Sequence, residues 1–143
     1  MPSRKSEAVW EGDLKGGRGT MKLGSGAYEG AYSFASRFED GKGTNPEELI
    51  AAAHAGCFSM ALSHGLAQAG FPPKRVHTTA TVNLEKTADG FSITKIQLDS
   101  EADVPNIEEA DFRDHAEKAK KNCPVSKVLA GAQIQLQAKL VGR

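Results

Sequence analysis

The stretch from Gly43 through Thr44-Asn45-Pro46-Glu47-Glu48 to Leu62 constrains this chain more than any other. Thr44 or Asn45 can supply the side-chain oxygen of a helix N-cap, and Pro46 suits the first helical position. Glu47 and Glu48 put negative charge in the first turn, where the helix dipole favours it. From Leu49 to Leu62 almost every residue is apolar or small, and the pattern predicts a helix over 46–68, closed by Gly70 and Pro72-Pro73. A helix apolar on every side is expected to be buried on every side. A single chain of 143 residues would struggle to enclose 23 helical residues alone. Two chains laying these helices together, each wrapped by sheet, would succeed, so an intimate homodimer is expected.

The flanking segments read as strands. Glu7–Asp13, Arg18–Leu23 and Tyr28–Phe34 form a predicted meander with glycine-bearing turns at Lys15-Gly16-Gly17 and Gly24-Ser25-Gly26. Ser36–Gly43 reads as a polar loop into the helix. Val76–Lys86 and Phe91–Val104 form a second hairpin, with a phase shift that predicts a bulge near Lys95. Asn106, with Glu109 as its capping-box partner, predicts a helix to about Asn122, and Pro124 starts a short one to Leu129. Ile134, Leu136, Ala138 and Leu140 alternate with polar residues in a last strand. The order implies an α+β fold with antiparallel sheets wrapped around a long buried central helix, in a single domain over 1–143.

Composition narrows the partners. Eighteen basic and eighteen acidic residues give no net charge, so no nucleic acid is expected. The start, Met1 to Glu7, lacks the apolar core of a signal peptide. The longest apolar run is about 14 residues, short of the roughly 18 of a membrane span, so no membrane is expected and the reading is cytoplasmic. In a reducing compartment two cysteines seldom form a structural disulfide.

Those cysteines carry the candidate chemistry. Cys57, inside the central helix, is either a small buried hydrophobe or a reactive thiol. Cys123 precedes Pro124 at a helix N-cap, beside Lys120 and Lys121, where a thiolate is favoured. Cys57 is expected to be buried and Cys123 exposed. Together they could act as a peroxide-attacking thiol and a resolving thiol, the second closing a disulfide before over-oxidation. A metal site built from His54, Cys57, His115 and Cys123 is the rival, although its spacings are not those of known zinc motifs. Otherwise His54 and His64 are satisfied helix histidines. A buried thiol resists ionisation, so a reactive Cys57 needs a cation, for which Arg37 and Arg18 are candidates. An arginine in turn needs a carboxylate to hold its plane. Helical phase favours Glu47 over Glu48, yet ten helical residues rise about 15 Å, too far for Glu47 to serve Cys57 of its own chain. An Arg37–Glu47 pair is therefore expected to draw on both subunits.

Three segments together resemble a known family: Ser36-Arg37-Phe38-Glu39, Gly43-Thr44-Asn45-Pro46-Glu47-Glu48-Leu49-Ile50, and Ala52-Ala53-His54-Ala55-Gly56-Cys57-Phe58-Ser59-Met60-Ala61-Leu62. The chain is similar to the OsmC subgroup of the OsmC/Ohr family, the osmotically induced and organic hydroperoxide resistance proteins. Trp10-Glu11-Gly12-Asp13, Gly90 to Ile96 and Cys123-Pro124-Val125-Ser126 extend the resemblance over nearly the whole sequence. It implies an interwoven homodimer and a thiol peroxidase that reduces organic hydroperoxides, and hydrogen peroxide less efficiently, in stress defence. By position Cys57 matches the peroxidatic and Cys123 the resolving cysteine, and Glu47 the glutamate after Asn-Pro. The OsmC branch points to Arg37, the Ohr branch to an arginine near Arg18. No cofactor is implied beyond an external thiol reductant, a dithiol. The competing reading is a non-enzymatic redox sensor or a metal-binding thiol protein.

Overall fold

The glycine-marked turns of the first third produce the expected meander. In the computed structural model, which describes residues 2–142, β1 (Ser6–Glu11), β2 (Arg18–Leu23) and β3 (Glu29–Tyr32) pair antiparallel in that order. Trp10, Gly19 and Tyr32 lie in register across the three strands. A Cβ on Gly19 would fall 2.6 Å from both rings. The missing side chain lets Trp10 and Tyr32 close to 5.3 Å between centroids.

Beyond β3 the sequence expectation fails locally. Ser33 and Phe34 leave the strand, and part of the expected loop is a short helix, α1 (Phe34–Phe38). The cause is a capping box: Ser33 Oγ accepts the Ser36 amide at 3.0 Å, and Ser36 Oγ accepts the Ser33 amide at 2.8 Å. Ser36 Oγ also donates to Thr44 O at 2.7 Å, and Asn45 Nδ2 donates to Ser36 O at 3.0 Å. These bonds tie α1 to the start of α2 (Pro46–Gln68). Asn45, not Thr44, caps α2, its Oδ1 accepting the Glu48 amide at 2.7 Å. Thr44 Oγ1 donates instead to Glu48 Oε2 at 2.7 Å.

The chain divides into two compact units between Leu49 and Ile50. The second holds a hairpin of β4 (Arg75–Thr87) and β5 (Gly90–Asp103), then α3 (Glu109–Asn122), α4 (Pro124–Val128) and β6 (Gln133–Leu140). The predicted bulge is there: Asn83 faces Lys95 and Leu84 faces Ile93, leaving Thr94 as the extra residue. The expectation of purely antiparallel sheets is corrected. β6 runs parallel to β5, from Lys95↔Gln133 to Ala102↔Leu140. The chain must return to the start of β5 before β6 can pair, and α3 and α4 make that crossover. The expected cap on α3 is corrected too. Asn106 takes φ +70 and turns the chain, so the helix starts at Glu109 behind Glu108, which makes no side-chain cap.

The core of this unit is a stripe from each element. Phe58, Leu62 and Leu66 of α2 meet Ile96, Leu98 and Ala102 of β5 and Phe112, Ala116 and Ala119 of α3. A polar ladder crosses it: Ser59 Oγ donates to Thr78 Oγ1 at 2.8 Å, and Thr78 Oγ1 lies 3.0 Å from Ser100 Oγ. Burial of α2 on every side is not what one chain provides. His54, Phe58, Leu62 and Leu66 are buried, but Ala53, Gly56, Met60, His64 and Ala67 line an open stripe, with Met60 76% exposed. By length and hydropathy alone α2 passes as a membrane-crossing helix, although the sequence reading stopped at a shorter apolar run. Alanines, serines and glycine carry the apolar average past His54 and His64, and the core helix of a soluble protein passes the same test.

Candidate active site

The four candidate residues resolve into two pairs, each inside one compact unit. The first is Arg37 with Glu47. Arg37 stands on α1, and Glu47 in the first turn of α2, where the Ser36, Thr44 and Asn45 bonds tie α1 to that turn. Arg37 Nε donates to Glu47 Oε1 and Nη2 to Oε2, both at 2.9 Å. This fork-to-fork geometry holds a guanidinium plane in one orientation. The Glu47 side chain is 10% exposed and that of Arg37 35%, so the carboxylate is the buried anchor and the cation the face that can still meet a ligand. The expectation that this pair spans two subunits is corrected: both residues come from one chain. Arg18 has no such support. It reaches Glu11 at 3.9 Å, as its cross-strand neighbour in β1, with both side chains open to solvent.

Arg37 also borders an apolar hollow of about 200 Å³ lined by Trp10, Leu14, Tyr32, Phe34 and Phe38. The rings of Phe34 and Phe38 lie 4.9 Å apart, and the guanidinium sits 5.3 Å from the Phe38 centroid. A cation at the mouth of an aromatic hollow offers a polar handle and an apolar seat together. The sequence reading found Arg37 but not the hollow, whose lining comes from three elements with no shared motif.

The second pair is Cys57 with Cys123. Cys57 lies one residue before Phe58, beside the buried stripe of α2, and its side chain interacts with that of Cys123. It also takes the Val125 backbone amide. Cys123 caps α4: its Sγ accepts the Ser126 amide at 3.5 Å. Both thiols are free. The expected exposures are reversed. Cys123 is fully buried and Cys57 only partly, because Cys123 sits at the junction of α3 and α4 that faces the core. Lys120, expected to favour the Cys123 thiolate, pairs with Glu117 at 3.3 Å. Burial pushes the Cys57 thiol up from its ordinary range, and the bond and charge of Cys123 push the same way. The Val125 amide, donating to sulfur, opposes them. A thiol so placed needs a cation before it ionises readily.

His54 completes this cluster. It is fully buried, with Nε2 2.7 Å from Ser126 Oγ, while Nδ1 has no hydrogen-bond partner among the described residues. The expected satisfied histidine is thus satisfied on one side only. Among the described residues no three of His, Cys, Asp and Glu gather as a metal-holding group. The rival set of His54, Cys57, His115 and Cys123 is not assembled. Ser126 stands in the Cys123-Pro124-Val125-Ser126 motif of the sequence without a role, although its place three residues after a capping cysteine marks it as the source of the capping amide.

Comparison with known proteins places the family and the fold. A relative, peroxiredoxin OsmC of Escherichia coli strain K12, is 54% identical over 138 residues, 96% of each chain. Organic hydroperoxide resistance protein-like 1 of Staphylococcus epidermidis is 38% identical over 93 residues, 64% of this chain and 66% of that one. Among solved structures, an OsmC-like protein of Vibrio cholerae superposes with a TM-score of 0.77 at 15% identity, over 96% of this chain and 99% of its own, which speaks for the fold. The profile of the family described as OsmC-like protein matches residues 39–139. With an α+β fold of that type and a matching sequence over most of its length, the chain belongs to the OsmC-like family.

Proposed function

We propose that this protein is a two-cysteine peroxidase that reduces organic hydroperoxides to alcohols, and hydrogen peroxide less efficiently. The observation that carries the reading is that Cys57 and Cys123 are free thiols whose side chains act on each other. The Cys57 thiolate attacks the terminal peroxide oxygen, the O–O bond breaks, and the alkoxide leaves as alcohol after taking a proton. Cys57 becomes a sulfenic acid. Cys123 sulfur then attacks Cys57 sulfur, the S–O bond breaks, hydroxide and the thiol proton leave as water, and a disulfide forms. An external dithiol restores both thiols by exchange.

The partly exposed thiol attacks and the covered one resolves, so bulk peroxide meets Cys57 first. The Arg37 fork lowers the Cys57 pKa and holds the peroxide oxygen, while Glu47 fixes its plane. The hollow beside Arg37 seats the organic tail, which favours organic over hydrogen peroxide. Helix geometry sets Glu47 about 15 Å along α2 from Cys57. The Arg37–Glu47 pair therefore serves Cys57 of the partner subunit in a homodimer built on the open stripe of α2. Small residues on that stripe let two helices approach closely, and burying Met60 removes a large exposed apolar side chain. The protein works as one OsmC-like domain in the cytoplasm, where reduced thiols are at hand, in defence against oxidative and osmotic stress. The names of the relatives, a peroxiredoxin and an organic hydroperoxide resistance protein, support the reading.

Steady-state consumption of cumene hydroperoxide in the presence of dithiothreitol tests it. The wild type turns over many times, Cys57→Ser not at all, and Cys123→Ser reacts once and then stalls or over-oxidises. A wild type that forms the disulfide but does not turn over is a sensor. Full turnover by Cys57→Ser would overturn the cysteine roles.

A further inference from the structure

We propose that His54 is a positioning residue for disulfide closure, holding Ser126 so that the α4 cap keeps Cys123 against Cys57. This rests on the two-cysteine reading above.

The argument begins with a cost. A fully buried histidine on a central helix, with Nδ1 unpartnered, is an expensive way to fill space. Leucine would fill the site without an orphaned nitrogen, as Phe58, Leu62 and Leu66 do on the same stripe. What histidine gives and leucine cannot is the 2.7 Å bond from Nε2 to Ser126 Oγ, across 72 residues of sequence. Ser126 is the residue whose backbone amide reaches Cys123 Sγ, and Val125, its neighbour, is the one whose amide reaches Cys57. One side-chain bond therefore moors the turn whose two amides touch the two thiols. α4 has only five residues, and an unmoored helix of that length frays. The Ser126 amide would then swing away from Cys123 Sγ.

The bond matters most in the second half of the cycle. Attack on peroxide needs Cys57 and an incoming oxygen. Closure needs Cys123 Sγ aligned behind the S–O bond of the Cys57 sulfenic acid, with hydroxide leaving and the Cys123 proton going with it as water. Misalignment by a fraction of an ångström slows such a step strongly. Burial keeps His54 below its ordinary pKa and thus neutral, so it can hold the serine without bringing a charge into the core.

Stopped-flow mixing with cumene hydroperoxide separates the two steps. Oxidation of Cys57 depends on peroxide concentration, and closure does not. Ser126→Ala and His54→Leu should each slow closure about tenfold while changing the peroxide step less than about twofold, an effect of roughly 1.4 kcal/mol on one barrier. The double variant should be no slower than either single one, because the two residues act as one link. His54→Gln, whose amide nitrogen can reach Ser126 Oγ, should recover most of the closure rate. Sulfinic acid should accumulate at high peroxide in the slow variants, though not in His54→Gln. Ser126→Ala deletes a single oxygen, so the test survives if His54→Leu fails to fold. Closure at the wild-type rate in folded Ser126→Ala would overturn the proposal while leaving the two-cysteine reading intact. Parallel loss of both steps would also overturn it, reducing the link to general support of the fold. A wild type that forms no Cys57–Cys123 disulfide would instead remove the two-cysteine reading, and this proposal with it.

Discussion

His54 shows how a residue can be visible in a sequence while its work is not. The sequence marks it on the central helix three residues before Cys57, a spacing equally consistent with a metal ligand and with a satisfied core histidine. Only the fold brings Ser126 to it. Burial holds its pKa below the ordinary value of 6.5, and the sign of the consequence can be worked out. In the unfolded chain His54 takes its proton near 6.5, and in the folded chain only at lower pH, so between the two values the unfolded state binds more protons. Stability is complete above about pH 6.5 and declines as pH falls through the folded-state value. Urea midpoints at fixed protein concentration, taken from about pH 7.5 down to about pH 5, should fall in the wild type and fall less in His54→Gln. Equal slopes would show that His54 does not carry the linkage. The cysteines teach a related lesson. Their types and the capping role of Cys123 were legible, but their relative exposure was not, because it depends on which way the α3–α4 junction turns.

At the scale of elements, α2 was legible to its ends, since Asn45, Pro46 and the Gly70–Pro72 stop are local signals that act through the backbone. α1 was missed, because its capping box uses two serines in place of the usual serine and glutamate. The parallel pairing of β6 was missed as well. Alternation gives the buried face of a strand but not its direction, and the crossover through α3 and α4 decides that. The turn between α1 and α2 is where local structure controls the site. Gly43 has φ +116, and a Cβ there would stand 2.6 Å from Ala31 O. Thr44 then donates its amide to that same carbonyl at 2.9 Å. Gly43→Ala should cost about 2 kcal/mol or more in denaturant unfolding, from backbone strain and collision together. It should also weaken peroxidase activity by disturbing the Arg37–Glu47 fork. Wild-type stability in this variant would mean that the turn is not constrained as described.

Over the whole molecule, an α+β chain with a long central helix followed directly from the order of elements. The homodimer was inferred from the same helix for a reason the structure sharpens: α2 packs one stripe on its own sheet and leaves the opposite one open. The arginine–glutamate pair was first expected to join two subunits. It is instead a finished fork in one chain, held by bonds among Ser33, Ser36, Thr44 and Asn45. In the proposed homodimer it is the fork as a unit that one subunit would offer to Cys57 of the partner subunit. Mixing inactive subunits tests this central claim most directly. Arg37→Ala chains lack the fork but keep both thiols, and Cys57→Ser chains lack the attacking thiol but keep the fork. Dissociated, mixed and reassembled, confirmed heterodimers should contain one complete site each and consume cumene hydroperoxide well above either parent. Confirmed heterodimers with no more activity than their parents would mean that each site is built from a single chain.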